Sequence, residues 1–201
     1  MQCKPPDKQF FAEIRDLNLG FLHLVADPRA GDEALGMLAM PAASAAALQS
    51  LEEPELSRVA SAPVLLARLD DLGFGSGVAE TMPLPAGLDP QWSQRVSLFA
   101  AGLLTYLWQL ARRQPVAASL CLGPDPARVQ ALARLTGQEV LACGAVAGTI
   151  LRARRVFRAP FLPELLRTAR HGAPSEDLPG LDLIPLGLAQ LRPGAARRGA
   201  Y

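Results

Sequence analysis

The chain has 201 residues, of which 50% are hydrophobic, 19% are charged and 5% are aromatic. A chain of this length forms one domain or two small ones, and its apolar half can build a core. Ala and Leu dominate while strand-forming residues are sparse, so the composition predicts a nearly all-α protein.

The formal net charge of +1 hides an asymmetry between the two halves of the chain. Residues 1–90 carry 6 basic against 13 acidic side chains, a net of −7, and residues 91–201 carry 14 against 6, a net of +8. This distribution predicts either a basic end that faces an anionic partner or two copies that dock head to tail.

Cysteine usage and hydropathy exclude several classes. The three cysteines contain no CxxC pair, which argues against a disulfide scaffold and a structural zinc site; they are Cys3, Cys121 and Cys143. Apolar neighbours favour Cys121 and Cys143 as small buried hydrophobes. Residues 1–8 are polar, so we expect no signal peptide. The most apolar stretch, 96–110, is shorter than the ~20 residues of a membrane span and predicts a buried helix.

The first seventy residues predict one long helix and three short ones. Ile14, Leu17, Leu22 and Val25 fall on one face of a helix over 11–25. Asp27-Pro28 ends it, because the residue before proline disfavours helical geometry. The shorter helices are predicted over 32–39, 42–51 and 54–60, the last with Pro54 in a favoured starting position. Residues 64–69 fit either an extended segment or a helix.

Residues 71–90 are rich in glycine and proline and predict a linker. The GFGSG run at 73–77 lacks the lysine and the strand-to-helix setting of a phosphate-binding loop. We therefore interpret it as part of the linker.

The second half predicts the same kind of structure. A long apolar helix is expected over 91–112 and a short one over 116–122. Asp125-Pro126 is a typical helix start, with aspartate as N-cap and proline at the next position. Thr136 and Glu139 have the spacing of a capping box. An amphipathic helix over 157–170 follows, and 172–201 is predicted to be a flexible tail whose Leu178–Leu191 segment could dock on a partner.

The two halves can be aligned with each other. LGFLHLVA at 19–26 matches LTYLWQLA at 104–111, and further along Arg68 falls on Arg152. The common order of caps and proline breaks favours two copies of one helical unit. Chance similarity between two Ala/Leu-rich helical stretches stays open as the alternative.

The segment IRDLNLGFL at 14–22 resembles the opening helix of the FlhD family, a subunit of the flagellar master regulator. The similarity continues through Asp32, Ala34 and Met37 to residue 60, where EPEL at 53–56 resembles a helix start of the family. The second half resembles the family more weakly, with LCLG at 120–123 similar to its Leu-Gly corner.

The resemblance implies an all-α protein with two FlhD-like helical units in tandem, each of one long and several short helices. The units would span 1–70 and 91–171, joined by the linker 71–90 and followed by the tail. FlhD dimerises and assembles with FlhC, a zinc-bearing subunit that supplies most of the DNA contact. The implied role is that of a cytoplasmic transcriptional activator subunit that works with an FlhC-like partner. The implied contacts are promoter DNA through the complex, RNA polymerase and a second copy of the chain. FlhD has a single unit and dimerises, so a chain with two such units would mimic an FlhD dimer.

Six arginines are candidates for DNA phosphate contacts, because each phosphate neutralised by arginine releases counterions; they are Arg112, Arg113, Arg152, Arg154, Arg155 and Arg158. For Arg152, Arg154, Arg155 and Arg158 the alternative is a solvated face. For Arg112 and Arg113 the alternative is a favourable interaction with the helix dipole at a helix end. The candidate subunit interface consists of Asp16, Asn18, Phe21, Leu22 and Trp108. Asn18 either lies on a solvated face or fixes the register of a helix pair.

Other chemistry is weakly indicated. A helix-turn-helix over 131–147 would present mainly Gln138 and Glu139, whereas base reading needs Arg, Asn or Gln on the exposed face. His23 and His171 lack companions for metal binding or acid-base chemistry, so we expect no enzyme, cofactor or metal site.

Two alternatives to transcriptional activation stay open. One is a protein-interaction adaptor or anti-activator that does not touch DNA. The other is a secretion-system accessory or chaperone, for which an acidic helical face would be suitable.

Overall fold

The computed structural model describes residues 8–70, 84–123, 125–157 and 161–171. Within these ranges the chain is mostly helical, which confirms the all-α prediction, and it contains one two-stranded sheet. The first half comprises α1 (Lys8–Ala26), α2 (Asp32–Met37), α3 (Ala42–Gln49), α4 (Glu53–Ala60) and β1 (Ala67–Leu69). The second comprises α5 (Pro90–Arg113), α6 (Pro115–Leu122), α7 (Pro126–Arg134), α8 (Gly137–Val146), β2 (Leu151–Ala153) and α9 (Phe161–His171), with 3-10 turns at Ala147–Ile150 and Arg155–Phe157.

Local capping signals explain where the helices of the second half begin. The Asp125 carboxylate accepts a hydrogen bond from the Ala127 N–H at 2.9 Å, and Pro126 starts α7. Thr136 and Glu139 form the predicted capping box at α8, in which the Thr136 N–H donates to the Glu139 carboxylate at 2.7 Å. Both predicted starts are therefore confirmed, because N-terminal N–H groups need acceptors that the helix itself does not supply.

The two-stranded sheet joins the halves of the chain. Strands β1 and β2 pair antiparallel, with Arg68 opposite Arg152. The flanking strand residues Ala67, Leu69, Leu151 and Ala153 are buried, so one face of the sheet covers the core. The sequence allowed an extended segment at 64–69 but predicted none at 151–153. Three-residue strands are too short to show an alternating pattern, and their pairing depends on residues far apart in the chain.

Up to the strand, the order of α-helices and strand is the same in the two halves: one long helix, three short helices and one short strand. The second half adds two 3-10 turns and α9. Capping boxes lie at Glu52/Glu55 before α4 and at Thr136/Glu139 before α8. Antiparallel pairing centred on Arg68 and Arg152 is the arrangement that a two-fold axis through this pair would generate. That the halves are copies of one unit stays a prediction, with which this arrangement is compatible.

The halves share one hydrophobic core. The ring of Phe21 on α1 lies 6.1 Å from that of Phe99 on α5 and 6.0 Å from that of Phe157. Trp92 donates from Nε1 to the carbonyl of Leu24 at 3.0 Å. Of the predicted linker, 71–83 lies outside the described residues, as does the tail 172–201.

Charged groups also connect the halves at one end of α5. The buried side chain of Asp27 pairs with the guanidinium of Arg95 and accepts the Arg29 N–H at 2.9 Å. Burying a carboxylate is costly unless it is paired and hydrogen-bonded, and Asp27 has both kinds of partner. This ion pair therefore helps to position the start of α5 against the end of α1.

A close backbone approach positions β2. A Cβ built on Gly148 would lie 3.1 Å from Oγ and 3.3 Å from Cα of Ser97 on α5. The 3-10 turn before β2 can therefore pack directly on α5 because residue 148 has no side chain.

Asn18 organises the connection between α4 and β1. Its Nδ2 donates to the carbonyls of Ala60, Ala62 and Val64 at 3.1, 3.2 and 2.9 Å. Its Oδ1 accepts the Leu66 N–H at 2.8 Å. The side chain is buried, so these bonds satisfy backbone groups that water does not reach. Asn18 thus acts within the chain, and its predicted place on a solvated face or a subunit interface is corrected.

Replacing Asn18 with leucine should lower the free energy of unfolding by about 2–4 kcal/mol, because several buried backbone groups lose their partners. Urea unfolding followed by circular dichroism measures this change. Asp16→Ala, an exposed position on the same helix, is the matched control and should change stability by less than ~0.5 kcal/mol. A loss in Asn18→Leu no larger than in this control would contradict the assignment.

Candidate anion-binding surface on the sheet

The candidate DNA-binding arginines lie in different environments. Arg112 and Arg113 are exposed at the end of α5. Arg152 is half-buried on β2 and donates from Nη1 to the carbonyls of Thr149 and Leu151 at 2.7 and 2.8 Å. Arg155 is exposed. Arg158 lies outside the described residues, and Arg154 is half-buried, with its Nε closed to water.

The arginines of the two strands share one acid. Arg68 and Arg152 are directly opposite each other, an arrangement that is unfavourable for like charges. The Asp70 carboxylate lies 3.1 Å from Nε of Arg68 and 3.9 Å from Nε of Arg152. Asp70 therefore offsets the repulsion across the sheet.

Arg154 and Arg128 complete the group, which we term the sheet arginine cluster: Arg68, Arg128, Arg152 and Arg154. Beyond the last pair of β2, the Arg154 N–H donates to the carbonyl of Leu66 at 2.9 Å. Arg128 of α7 donates from Nη2 to the carbonyl of Leu69. The cluster thus takes one residue from the first half of the chain and three from the second, and the carboxylate that pairs with it within the described residues is that of Asp70.

Arg154 has the least favourable electrostatic environment in the cluster. Its Nε is buried and, within the described residues, has no hydrogen-bond partner. Burial lowers the pKa of Arg154, the nearby Cys121 thiol opposes this shift, and Arg68 and Arg128 lower the pKa further. A guanidinium remains protonated in proteins even so, and this positive charge therefore lies beside two others with its Nε closed to water.

The Cys121 thiol lies near Arg154. Burial raises its pKa to about 12, an effect that Arg154 only partly opposes. Burial likewise raises the pKa of the half-buried Cys143, and the Glu139 carboxylate adds to this. The prediction that Cys121 is a buried apolar residue is confirmed, whereas Cys143 is only partly buried.

Cys121 should resist thiol reagents in the folded protein. With a pKa of about 12, roughly one thiol in ten thousand is ionised at about pH 8. The double variant Cys3→Ala, Cys143→Ala leaves Cys121 as the reporter, and Ellman's reagent should react with it only after denaturation. Because the folded pKa is raised, the stability that Cys121 contributes is complete below the ordinary thiol pKa and is lost as pH rises towards 12. Fast reaction of the native double variant would contradict this assignment.

The predicted subunit interface is corrected by the burial of its main residues. Phe21 and Leu22 are 0% exposed, so they cannot contact another subunit while the chain is folded. Phe21 instead lies between the two halves. Asp16 is exposed, and the half-buried Trp108 donates from Nε1 to the carbonyl of Leu135 at 2.9 Å beneath the guanidinium of Arg112.

Helices α7 and α8 are separated by two residues, as in a helix-turn-helix, but α8 is poorly suited to reading bases. The carboxylate of Glu139 is held by the backbone and hydroxyl of Thr136, which lowers its pKa. The other exposed side chains of α8 beyond Gln138 are Leu141, Ala142 and Ala145. Because these are apolar, α8 offers few donors or acceptors for hydrogen bonds to base edges.

Neither a metal centre nor a membrane span is found in the described part of the chain. His23 lies 3.1 Å from the Glu53 carboxylate, and no group of three or more potential metal ligands occurs among these residues. The helices within the described ranges are too short or too polar to cross a bilayer. The side chain of His171 lies outside the described residues.

Comparison with known proteins identifies no family: no protein-family model, curated protein or solved structure matches this chain. The fold defines the chain only as a mostly helical protein with one two-stranded sheet. Within that fold, Arg152 and Arg154 were predicted from the sequence as anion contacts, whereas Arg68 and Arg128 were not. The alignment of Arg68 with Arg152 was the available signal for Arg68, whereas nothing in the sequence places Arg128 beside the strands.

Proposed function

We propose that this protein is a cytoplasmic transcriptional regulator, an activator subunit that binds promoter DNA in complex with an FlhC-like partner. The observation that carries the proposal is the convergence of strand arginines from both halves on one outer face of the sheet. The resemblance of residues 14–60 to the FlhD family, which rests on short motifs, favours the same role. The repeated order of elements supports the idea that the chain replaces an FlhD dimer.

The charge distribution supports a division of labour between the halves. The first half is acidic and would mainly hold subunits together, while the arginines of the second half are positioned to approach phosphates. Arg155 is exposed directly after the sheet arginine cluster and is the best placed for a backbone contact. Such contacts provide salt-sensitive affinity without base specificity, which suits a subunit whose partner recognises the promoter sequence.

Chromatin immunoprecipitation of the tagged chain from its native cell tests the proposal. We expect enrichment of promoter fragments and co-purification of a zinc-bearing DNA-binding subunit with the tagged chain. Absence of promoter enrichment, together with unchanged transcripts after deletion, would overturn the transcriptional role.

Arg155→Glu should weaken binding of the purified complex to a recovered promoter fragment by about tenfold, since it replaces an attraction to phosphate with a repulsion. Fluorescence anisotropy across a salt series should also show the slope of log affinity against log salt reduced by about one. Arg29→Glu is the control. It makes the same charge change at another exposed arginine, which follows α1 and lies near His23 and Glu53. Equal behaviour of the two variants would count against phosphate contact by Arg155.

An adaptor that binds a regulator without touching DNA is the second candidate. Exposed Leu98 on α5 and Leu141 on α8, at 66% and 76%, favour it, because these helices pack together and place apolar side chains in water. The same measurements separate the two candidates. An adaptor would co-purify with its regulator, and Arg155→Glu would leave the affinity of that complex for DNA unchanged.

A further inference from the structure

Within the described residues, no acidic side chain pairs with the half-buried guanidinium of Arg154. Its Nε has no partner within the described residues, and Arg68 and Arg128 are positioned to repel it. Asp70, the acid that pairs in the cluster, is already engaged by Arg68 and Arg152. Because arginine does not lose its proton, the group cannot escape this environment by becoming neutral.

A bound anion would offset the cost of holding an unpaired positive charge in this position. We propose that the sheet arginine cluster binds one small phosphate-type oxyanion, inorganic phosphate or a phosphate monoester, held mainly by Arg154 with Arg128 and Arg68. The cluster carries four positive charges against the one negative charge of Asp70. A phosphate dianion therefore neutralises most of the excess.

The side chains present favour phosphate over other anions. The planar guanidinium presents parallel N–H donors that match two oxygens of a tetrahedral oxyanion, whereas a spherical halide cannot use both. Arginines from two strands and from α7 provide such donors from different directions. This arrangement suits an anion with oxygens on several sides better than a planar carboxylate.

The depth of Arg154 favours a small ligand over a nucleic-acid backbone. The side chain is half-buried beside Cys121 of α6, and its Nε is closed to water, so only the remaining part of the guanidinium is open to a ligand. Contacts to duplex phosphates come from side chains that extend from the protein surface, as the exposed Arg155 does. Neighbouring arginines thus have different roles: Arg155 is exposed, whereas Arg154 belongs to the partly covered sheet arginine cluster.

Binding at this site would strengthen the connection between the halves. Arg68 belongs to the first half, while Arg128 and Arg154 belong to the second. An anion held by all three reduces repulsion across the β1–β2 pair and stabilises the folded chain by mass action. The site therefore supplies a means of regulation by a phosphate-bearing ligand, which goes beyond the proposed transcriptional role and does not depend on it.

Calorimetric titration of the purified full chain with inorganic phosphate tests the proposal, alongside thermal unfolding at constant ionic strength with chloride as the balancing anion. We expect one phosphate bound per chain and a rise in Tm. Arg154→Met should weaken binding by at least about tenfold, the effect of losing charge-assisted hydrogen bonds. Arg29→Met should bind as the unmodified chain does.

The stability of each protein measured without phosphate is a second readout. A methionine of similar length removes the uncompensated charge, so Arg154→Met should be at least as stable as the unmodified chain without phosphate and should lose the phosphate-dependent rise in Tm. A purely structural arginine would instead give a variant that is less stable and still responds to phosphate. If Arg154→Met does not fold, Arg128→Met is judged by the same loss of phosphate binding.

Two results would overturn the proposal. One is an equal rise in Tm for the unmodified chain and the folded variants, since phosphate stabilises many proteins by exclusion from their surfaces. The other is displacement of phosphate by a random-sequence DNA duplex whose own affinity falls in Arg154→Met, which would assign the site to nucleic acid. Duplex binding that is unaffected by phosphate and by Arg154→Met would support a separate small-anion site. Because these measurements use the purified chain, their failure is distinguishable from absence of promoter enrichment in the cell.

Discussion

The antiparallel pairing of β1 with β2 is the constraint on which the rest of the structure depends. It joins residues 67–69 to residues 151–153 and so brings the end of each half to one place. Its buried face covers the shared core, and its outer face carries Arg68 and Arg152 in direct opposition. The pairing therefore connects the halves and, as a direct consequence, concentrates positive charge.

The surrounding elements offset this concentration of positive charge to a different extent at each arginine. Asp70 follows β1 and pairs with the two arginines that face each other. Arg128 reaches a strand carbonyl from α7, which satisfies part of its donor capacity. Within the part of the chain that the structure describes, Arg154 receives neither kind of compensation at its buried Nε. The electrostatics of the site thus follow from geometry rather than from the number of arginines in the segment.

The interior of the chain shows how a polar residue can take part in a predominantly apolar core. Asn18 lies on the buried face of α1 because its amide bonds to the backbone between α4 and β1. The corresponding position in the second half, in the alignment of residues 19–26 with 104–111, is Leu103, which is fully buried. The two halves therefore differ at a position that decides how the chain enters the strand. Only the first half uses a side-chain amide there.

The sequence by itself determined the helices, because their caps and apolar stripes are local. The starts at Asp125-Pro126 and Thr136, and the long helices around residues 11–25 and 91–112, were predicted within a few residues. Only the tertiary structure decided the sheet and the environments of the arginines. Arg152, Arg154 and Arg155 look alike in sequence. Within the described residues, however, Arg152 is held by backbone carbonyls, Arg154 is half-buried with an unpaired Nε, and Arg155 is exposed. Burial depends on which distant elements pack over a side chain, and neither the spacing nor the charge of the segment contains that information.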